Sequence, residues 1–281
     1  MSINLPQLLI GTIGAILISF LAWKLRSLSK SGALAAFVVG TVIFGLGGWQ
    51  WAVLLLAFFI TSTALTKAFK NRKRGLNEKF SKGGQRDAGQ VFGNGGLATL
   101  FALLHAFFPA AAWPWFAFAA SLAAVNADTW ATELGVLNPS EPRLISNLAK
   151  KVEKGTSGGV SWIGTLAALA GSAVVALPAA LFTPDVLGSD SPQPALWILG
   201  LILSLSGLLG SLFDSLLGAT VQAIYRCPQC NKETERHPLH TCGTQTIQIR
   251  GLKWLDNDLV NLGCAVFAIL TVQLVMIFLP R

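Results

Sequence analysis

Leu5-Pro6-Gln7-Leu8-Leu9-Ile10-Gly11-Thr12-Ile13-Gly14-Ala15-Ile16-Leu17-Ile18-Ser19-Phe20-Leu21-Ala22-Trp23 carries no charged side chain, and Lys24, Arg26 and Lys30 follow it closely. A helix of about 20 apolar residues is what crosses the hydrocarbon of a bilayer. Pro6 to Phe20 has no basic n-region and no clear cleavage site, so it reads as a span rather than a signal peptide. Working outward, seven further apolar runs cover about 32–46, 49–68, 91–108, 113–136, 158–182, 194–223 and 258–279. The second is short for a full crossing. Mean hydropathy is +0.59 and only 12% of residues are charged. The expected fold is an all-α, polytopic membrane helix bundle of about eight transmembrane helices. It forms a single integral membrane domain over 1–281, with a small Cys-rich loop at 226–250.

The basic residues orient the bundle. Of 21 Lys and Arg residues, all but Arg281 fall in every second connection. Lys24 to Lys30 follow the first run and Lys67 to Arg86 the third. Arg143 to Lys154 follow the fifth, and Arg226 to Lys253 precede the last. The positive-inside rule places these connections in the cytoplasm and both termini outside, in a plasma-membrane-type bilayer. The net charge of +8 therefore lies beside lipid headgroups. Nucleic acid is a poor partner for charges held in short juxtamembrane loops.

Ionisable residues inside spans are costly and mark function. Asp128 and Glu133 lie in Asn126-Ala127-Asp128-Thr129-Trp130-Ala131-Thr132-Glu133, Asp214 in Gly210-Ser211-Leu212-Phe213-Asp214-Ser215, and Asp258 in Asp256-Asn257-Asp258-Leu259-Val260-Asn261. With the orientation above, all four acids lie in the cytoplasmic third of their helices. Each acid alone would read as a structural lock on a basic loop residue. Together they read as a shared cation or phosphate site.

Two connections supply positive charge and glycine. Ser81-Lys82-Gly83-Gly84-Gln85-Arg86-Asp87-Ala88-Gly89-Gln90-Val91-Phe92-Gly93-Asn94 precedes and enters the fourth run, and Lys151-Val152-Glu153-Lys154-Gly155-Thr156-Ser157-Gly158-Gly159 leads into the sixth. Glycine lets backbone N–H groups approach an anion, and a helix N-terminus adds partial positive charge. Arg86 would fork phosphate oxygens while Lys82 and Lys154 act as point charges. The bland readings are a basic linker and a plain N-cap at Thr156 or Ser157. The spacing is not that of a Walker loop. Carboxylates holding a divalent metal, with phosphates clamped by Lys and Arg, are the parts of a phosphoryl-transfer site. Magnesium suits such oxygen ligands.

Cys227-Pro228-Gln229-Cys230 precedes His237, His240 and Cys242. Cys-x2-Cys followed by His-x-Cys suits a closed tetrahedral zinc site, with His240 favoured over His237 as fourth ligand. Reduced free thiols and redox chemistry are the alternatives.

At these motifs the chain resembles the membrane family called domain of unknown function 92, or transmembrane protein 19, over essentially its whole length. The resemblance rests on Ser81–Gly96, Asn126–Gly135, Lys151–Ser161, Gly210–Gly218, the Cys227–Cys230 pair and Gly251–Asn261. The family includes the plant phytyl-phosphate kinase of tocopherol synthesis, which converts a prenyl monophosphate to its diphosphate with a nucleoside triphosphate. The Asp128 stretch and Glu153-Lys154-Gly155-Thr156 are also similar to short motifs of CTP-dependent phytol and dolichol kinases.

The resemblance implies a prenyl-phosphate kinase using Mg2+ with CTP or another nucleoside triphosphate. Asp128, Asp214 and Asp258 would hold the metal, helped by Asn126 and Asn257. Lys82, Arg86 and Lys154 would bind phosphates. Gly83, Gly84, Gln85, Asn94, Glu133, Glu153, Gly155, Thr156 and Asn261 would line the substrate and nucleotide site. Apart from the resemblance, the spacing of Cys227, Cys230, His240 and Cys242 suits a structural zinc. The rival readings are a transporter or flippase of a phosphorylated lipid or small anion, and a kinase of the prenyl alcohol.

Overall fold

In hydrocarbon the backbone must satisfy its own hydrogen bonds, so each apolar run becomes a helix. The computed structural model describes residues 4–69, 79, 84–187 and 195–278. Among the described residues the helices are α1 (Leu5–Lys24), α2 (Lys30–Val42), α3 (Trp49–Ala68), α4 (Ala88–Phe107), α5 (Trp113–Gly135), α6 (Trp162–Leu187), α7 (Leu196–Thr220) and α8 (Asn257–Phe278). A π-helical turn over Ile43–Gly47 continues α2, so the second run reaches 18 residues, enough to cross a membrane. Six helices are long and apolar enough to span by themselves: α1, α2 with its π turn, α3, α6, α7 and α8.

The other two, α4 and α5, are less apolar, and α5 explains itself by position. Every residue from Trp115 to Ala127 is at most 2% exposed. The helix is sheathed by α3, α4, α6, α7 and α8. Ala117, Ala119, Ala120, Ser121, Ala123, Ala124 and Ala127 keep it thin, which lets five neighbours approach its backbone. α1 packs chiefly on α2, and α2 on α4. The outer sides of α1 and α8 leave Leu9, Ile13, Leu17, Leu270 and Leu274 exposed, as lipid-facing positions should be.

Two connections fold further than the sequence suggested. Arg143–Leu144 (β1), Asn147–Lys151 (β2) and Gly159–Val160 (β3) form an antiparallel sheet in the order β2-β1-β3. Ile224–Cys227 (β4), Lys232–Thr234 (β5) and Ile247–Arg250 (β6) form a second in the order β5-β4-β6. Because β3 holds Gly159 and Val160 in a sheet, α6 starts at Trp162 rather than near 158. Its N-terminal cap is Ser161, whose Oγ accepts from Gly164 N at 3.1 Å, not Thr156 or Ser157. α4 starts on a capping box, with Asp87 Oδ1 accepting from Gln90 N at 2.9 Å.

The basic connections meet on one face. Ser29 N donates to Arg86 O and Arg86 N to Ser27 O, each at 3.0 Å, which ties the α1–α2 turn to the start of α4. Lys67 Nζ donates to Leu25 O at 3.1 Å. Ser157 Oγ donates to Gln222 Oε1 at 2.6 Å, joining the β-sheet connections to each other.

Candidate functional site: an acid cluster and an enclosed guanidinium

Asp128 and Glu133 are five residues apart on α5, about 140° around the helix. They accordingly look in different directions. Asp128, half-buried, lies within electrostatic range of Asp214 on α7. Glu235, from the connection beyond β5, lies in the same range of Asp214, and Cys264 on α8 feels both aspartates. The Oδ2 atom of Asp214 is buried and accepts no hydrogen bond among the described residues. A buried carboxylate oxygen without a donor is expensive unless a cation compensates it. Asp258 stands elsewhere, in the first turn of α8 against α4. A Cβ on Gly93 would lie 3.5 Å from the Asp258 Cβ. Asn257 and Asn261, four residues apart on that helix, share its face and are half-buried.

Glu133 faces α3 and is 6% exposed. Thr66 Oγ1 donates to its Oε1 at 2.9 Å. Beside it lies Arg86. The guanidinium donates through Nη2 to Ser62 Oγ at 2.8 Å and sits over the Phe58 and Phe59 rings, 5.3 and 5.8 Å from their centroids. Its Nη1 is buried without a hydrogen-bond partner among the described residues. Burial brings the Arg86 pKa down to about 10, against the raising influence of Glu133, so the group stays cationic at neutral pH. The backbone of Arg86 is fixed by the paired bonds to Ser27 and Ser29, and α2 passes so close that a side chain at Gly32 would run into the Arg86 carbonyl.

Arg86, Gln90 and Asn94 close the polar end of an apolar cleft between α1, α2, α3 and α4. Ile18, Ala22, Val39, Phe44, Leu55 and Phe59 form much of its wall. From Ala36 to Phe44 the helical rise carries it about 12 Å along α2. Leu28 belongs also to a shallow basic depression lined by Lys24, Arg26, Lys30 and Gln85. An apolar slot thus opens beside cationic side chains.

The other expected residues fall in three groups. Lys82 and Gly83 lie outside the described residues, and Gly84 and Gln85 beside them are exposed. Lys154 points its ammonium at the end of α5, donating to Val136 O at 3.2 Å and Asn138 O at 2.6 Å. Glu153 is exposed and pairs with Lys79 Nζ at 2.7 Å, a hydrogen bond that holds its carboxyl below the usual range. Gly155 and Thr156 complete the turn that starts at Glu153, where Thr156 N donates to Glu153 O. The next turn needs Gly158: its φ is +84°, and a side chain would strike Ala219 of α7. Asn126 is fully buried and spends its amide on packing, with Nδ2 donating to Gly171 O at 2.7 Å and Oδ1 accepting from Thr61 Oγ1 at 3.3 Å.

Several residues at this face had no signal in the sequence. Lys79 donates also to Lys154 O at 3.1 Å, and its own carbonyl accepts from Glu235 N at 2.8 Å. Gln222 donates through Nε2 to Glu235 Oε1 at 3.1 Å. These contacts join the connections before α4, α6 and α8, and only the charge of Lys79 and Glu235 hinted at them.

Beyond β4 the cysteines gather. Ligand atoms of Cys227, Cys230, His240 and Cys242 lie within 4.8 Å of one another. His237 is not among them; its ring stacks on Tyr225 at 4.5 Å between centroids. Hydrogen bonds with Thr244 and then His240 hold the Cys242 thiol down to about 5, while hydrogen bonding to Cys242 pushes Cys230 up to about 11. Cys264 is buried in α8, away from this group.

Residues 13–269 match the profile of the family described as integral membrane protein DUF92. The chain is 36% identical over 271 residues to Protein PGR of Arabidopsis thaliana, covering 91% of each. It is 30% identical over 219 residues to an uncharacterized membrane protein of Methanocaldococcus jannaschii, covering 77% of this chain and 84% of that one. It is 28% identical over 238 residues to Protein VTE6, chloroplastic, of Arabidopsis thaliana, covering 83% of this chain and 61% of that one. No solved structure matches it. With the profile spanning nearly the whole bundle, the chain belongs to the DUF92 family of integral membrane proteins.

Proposed function

We propose that this protein is a membrane kinase that phosphorylates a prenyl monophosphate of the phytyl type to its diphosphate, at a cytoplasmic face of the bilayer. The observation that carries the reading is the placement of Arg86, half-buried as a residue with its Nη1 enclosed. It has one guanidinium nitrogen without a partner at the head of an apolar cleft, and Glu133 of α5, the helix that also carries Asp128, beside it. The family resemblance to plant phytyl-phosphate kinase, and the similarity to a chloroplast member at 28% identity, support the same chemistry.

In this reading the prenyl chain lies in the cleft and its phosphate meets Arg86, with Lys24, Arg26 and Lys30 nearby. Asp128 and Asp214 would hold Mg2+, with Asp258 standing apart, and the orphaned Asp214 oxygen is the observation that fits a cation there. When bound, Mg2+ neutralises charge on the transferring phosphoryl group. The acceptor is an ionised phosphate, so no strong general base is required, and the protein's work is positioning. The donor is CTP or another nucleoside triphosphate, and the glycine-rich connections around Gly84 and Gly155 lie on the face it would approach.

The test is purified protein in lipid nanodiscs with prenyl alcohols and prenyl monophosphates, each with ATP, CTP, GTP or UTP and Mg2+, read by mass spectrometry. The expected product is a prenyl diphosphate formed from the monophosphate. Product from the alcohol alone would make it an alcohol kinase. Lipid binding or movement with no nucleotide turnover would make it a transporter, and either result overturns the proposal.

A further inference from the structure

We infer that Cys227, Cys230, His240 and Cys242 bind one zinc ion in a closed structural site, and that this ion secures one wall of the acid cluster. The inference stands independently of the kinase reading. Four donors from two tight turns converge on one point. Asn231, at φ +53°, turns the chain after Cys230, and its N–H bonds Cys227 O at 2.9 Å. Gly243, at φ +83°, turns it after Cys242, and its N–H bonds His240 O at 2.9 Å. The Cys227 and Cys242 sulfurs are 3.6 Å apart, too far for a disulfide. Zinc with bonds of about 2.3 Å holds tetrahedral sulfurs about 3.8 Å apart. A ring nitrogen of His240 stands 3.2 Å from the Cys242 sulfur, and the ring's other nitrogen, Nε2, is buried with no hydrogen bond. Three thiols and an imidazole form a soft donor set that selects zinc over magnesium or calcium.

The local fold also needs such a staple. The β5-β4-β6 sheet has three short strands, and every residue of β6 is exposed or half-exposed. Ile224, Tyr225, Cys227 and Thr234 supply nearly all its buried side chains. A unit of this size cannot bury enough apolar surface to hold itself together. What it holds in place is Thr234 and Glu235, whose hydroxyl and N–H both bond Lys79 O, and Glu235 lies in range of Asp214. Four protein ligands leave no open coordination position, so the ion takes no part in chemistry.

Elemental analysis of the purified, full chain should give about one zinc per chain. Cys227→Ser and Cys242→Ser should each lose it, while Cys264→Ser keeps it. Because those variants risk misfolding, wild-type protein is also treated with a chelator and followed by hydrogen exchange. Removing zinc should speed amide exchange in Ile224–Cys227 and Lys232–Thr234 by about tenfold or more, with α5 and α7 unchanged. Three outcomes overturn the inference: no zinc in protein expressed with zinc supplied, a Cys227–Cys242 disulfide in its place, or zinc that survives both cysteine substitutions.

Discussion

Asp128 and Asp214 are the side chains on which the chemistry would be won or lost. Asn keeps their shape and removes their charge. Asp128→Asn and Asp214→Asn should each lower turnover about a thousandfold, roughly 4 kcal/mol of barrier, while thermal unfolding stays near wild type. Initial rates and a melting curve on the same preparation check this, and a variant of normal rate removes that residue from the site. Arg86 tests binding. Arg86→Lys keeps the charge but loses the fork, and the orphaned Nη1 with it. It should raise the KM for prenyl phosphate about tenfold and leave kcat within a few-fold. At this scale the costly acids and Arg86 were legible, because an ionisable group at a membrane edge stands out in any sequence. Their partners were not. Ser27 and Ser29 of the α1–α2 turn reach Arg86, and Ser62 and Thr66 of α3 reach Arg86 and Glu133; nothing local in a sequence records such meetings. Lys154 and Asn126 show the converse: their residue types fit a phosphate or metal site, and their side-chain nitrogens donate to backbone carbonyls.

Among elements, the helices were readable and the sheets were not. A span is written in twenty apolar residues, whereas β2 has five residues, all exposed, with no alternation to betray it. The π turn that lengthens α2 is equally silent in composition. The interface that most constrains α5 is its contact with α6. A Cβ on Gly171 would stand 2.6 Å from the Trp130 ring and 3.0 Å from the Asn126 carbonyl. Asn126 Nδ2 reaches across to the Gly171 carbonyl at 2.7 Å. Gly171→Leu must push these helices apart and break that bond, so it should destabilise the protein by about 1–3 kcal/mol. Thermal unfolding in detergent checks it, and an unchanged midpoint would mean that α5 and α6 do not meet there.

For the whole molecule, the distribution of Lys and Arg fixes the expected orientation. Ala110→Cys and Ala195→Cys, at the ends away from the basic connections, should react with an impermeant maleimide added outside intact cells. Ser140→Cys should react only after permeabilisation. Labelling in the reverse pattern would invert the topology and move the acid cluster to the other side of the bilayer. The sheathing of α5 bears on how the protein is made. α5 leaves the ribosome fifth, before α6, α7 and α8 exist to cover it. It is not among the six helices apolar enough to span alone, and it carries Asn126, Asp128 and Glu133. Lipid is a poor host for it, so it must wait at the insertion machinery, or in contact with α3 and α4, until the last three helices arrive. The residues that equip the site are the ones that make its central helix depend on segments not yet synthesised. The first spans commit the chain to the membrane, but its completion is what lets α5 settle there.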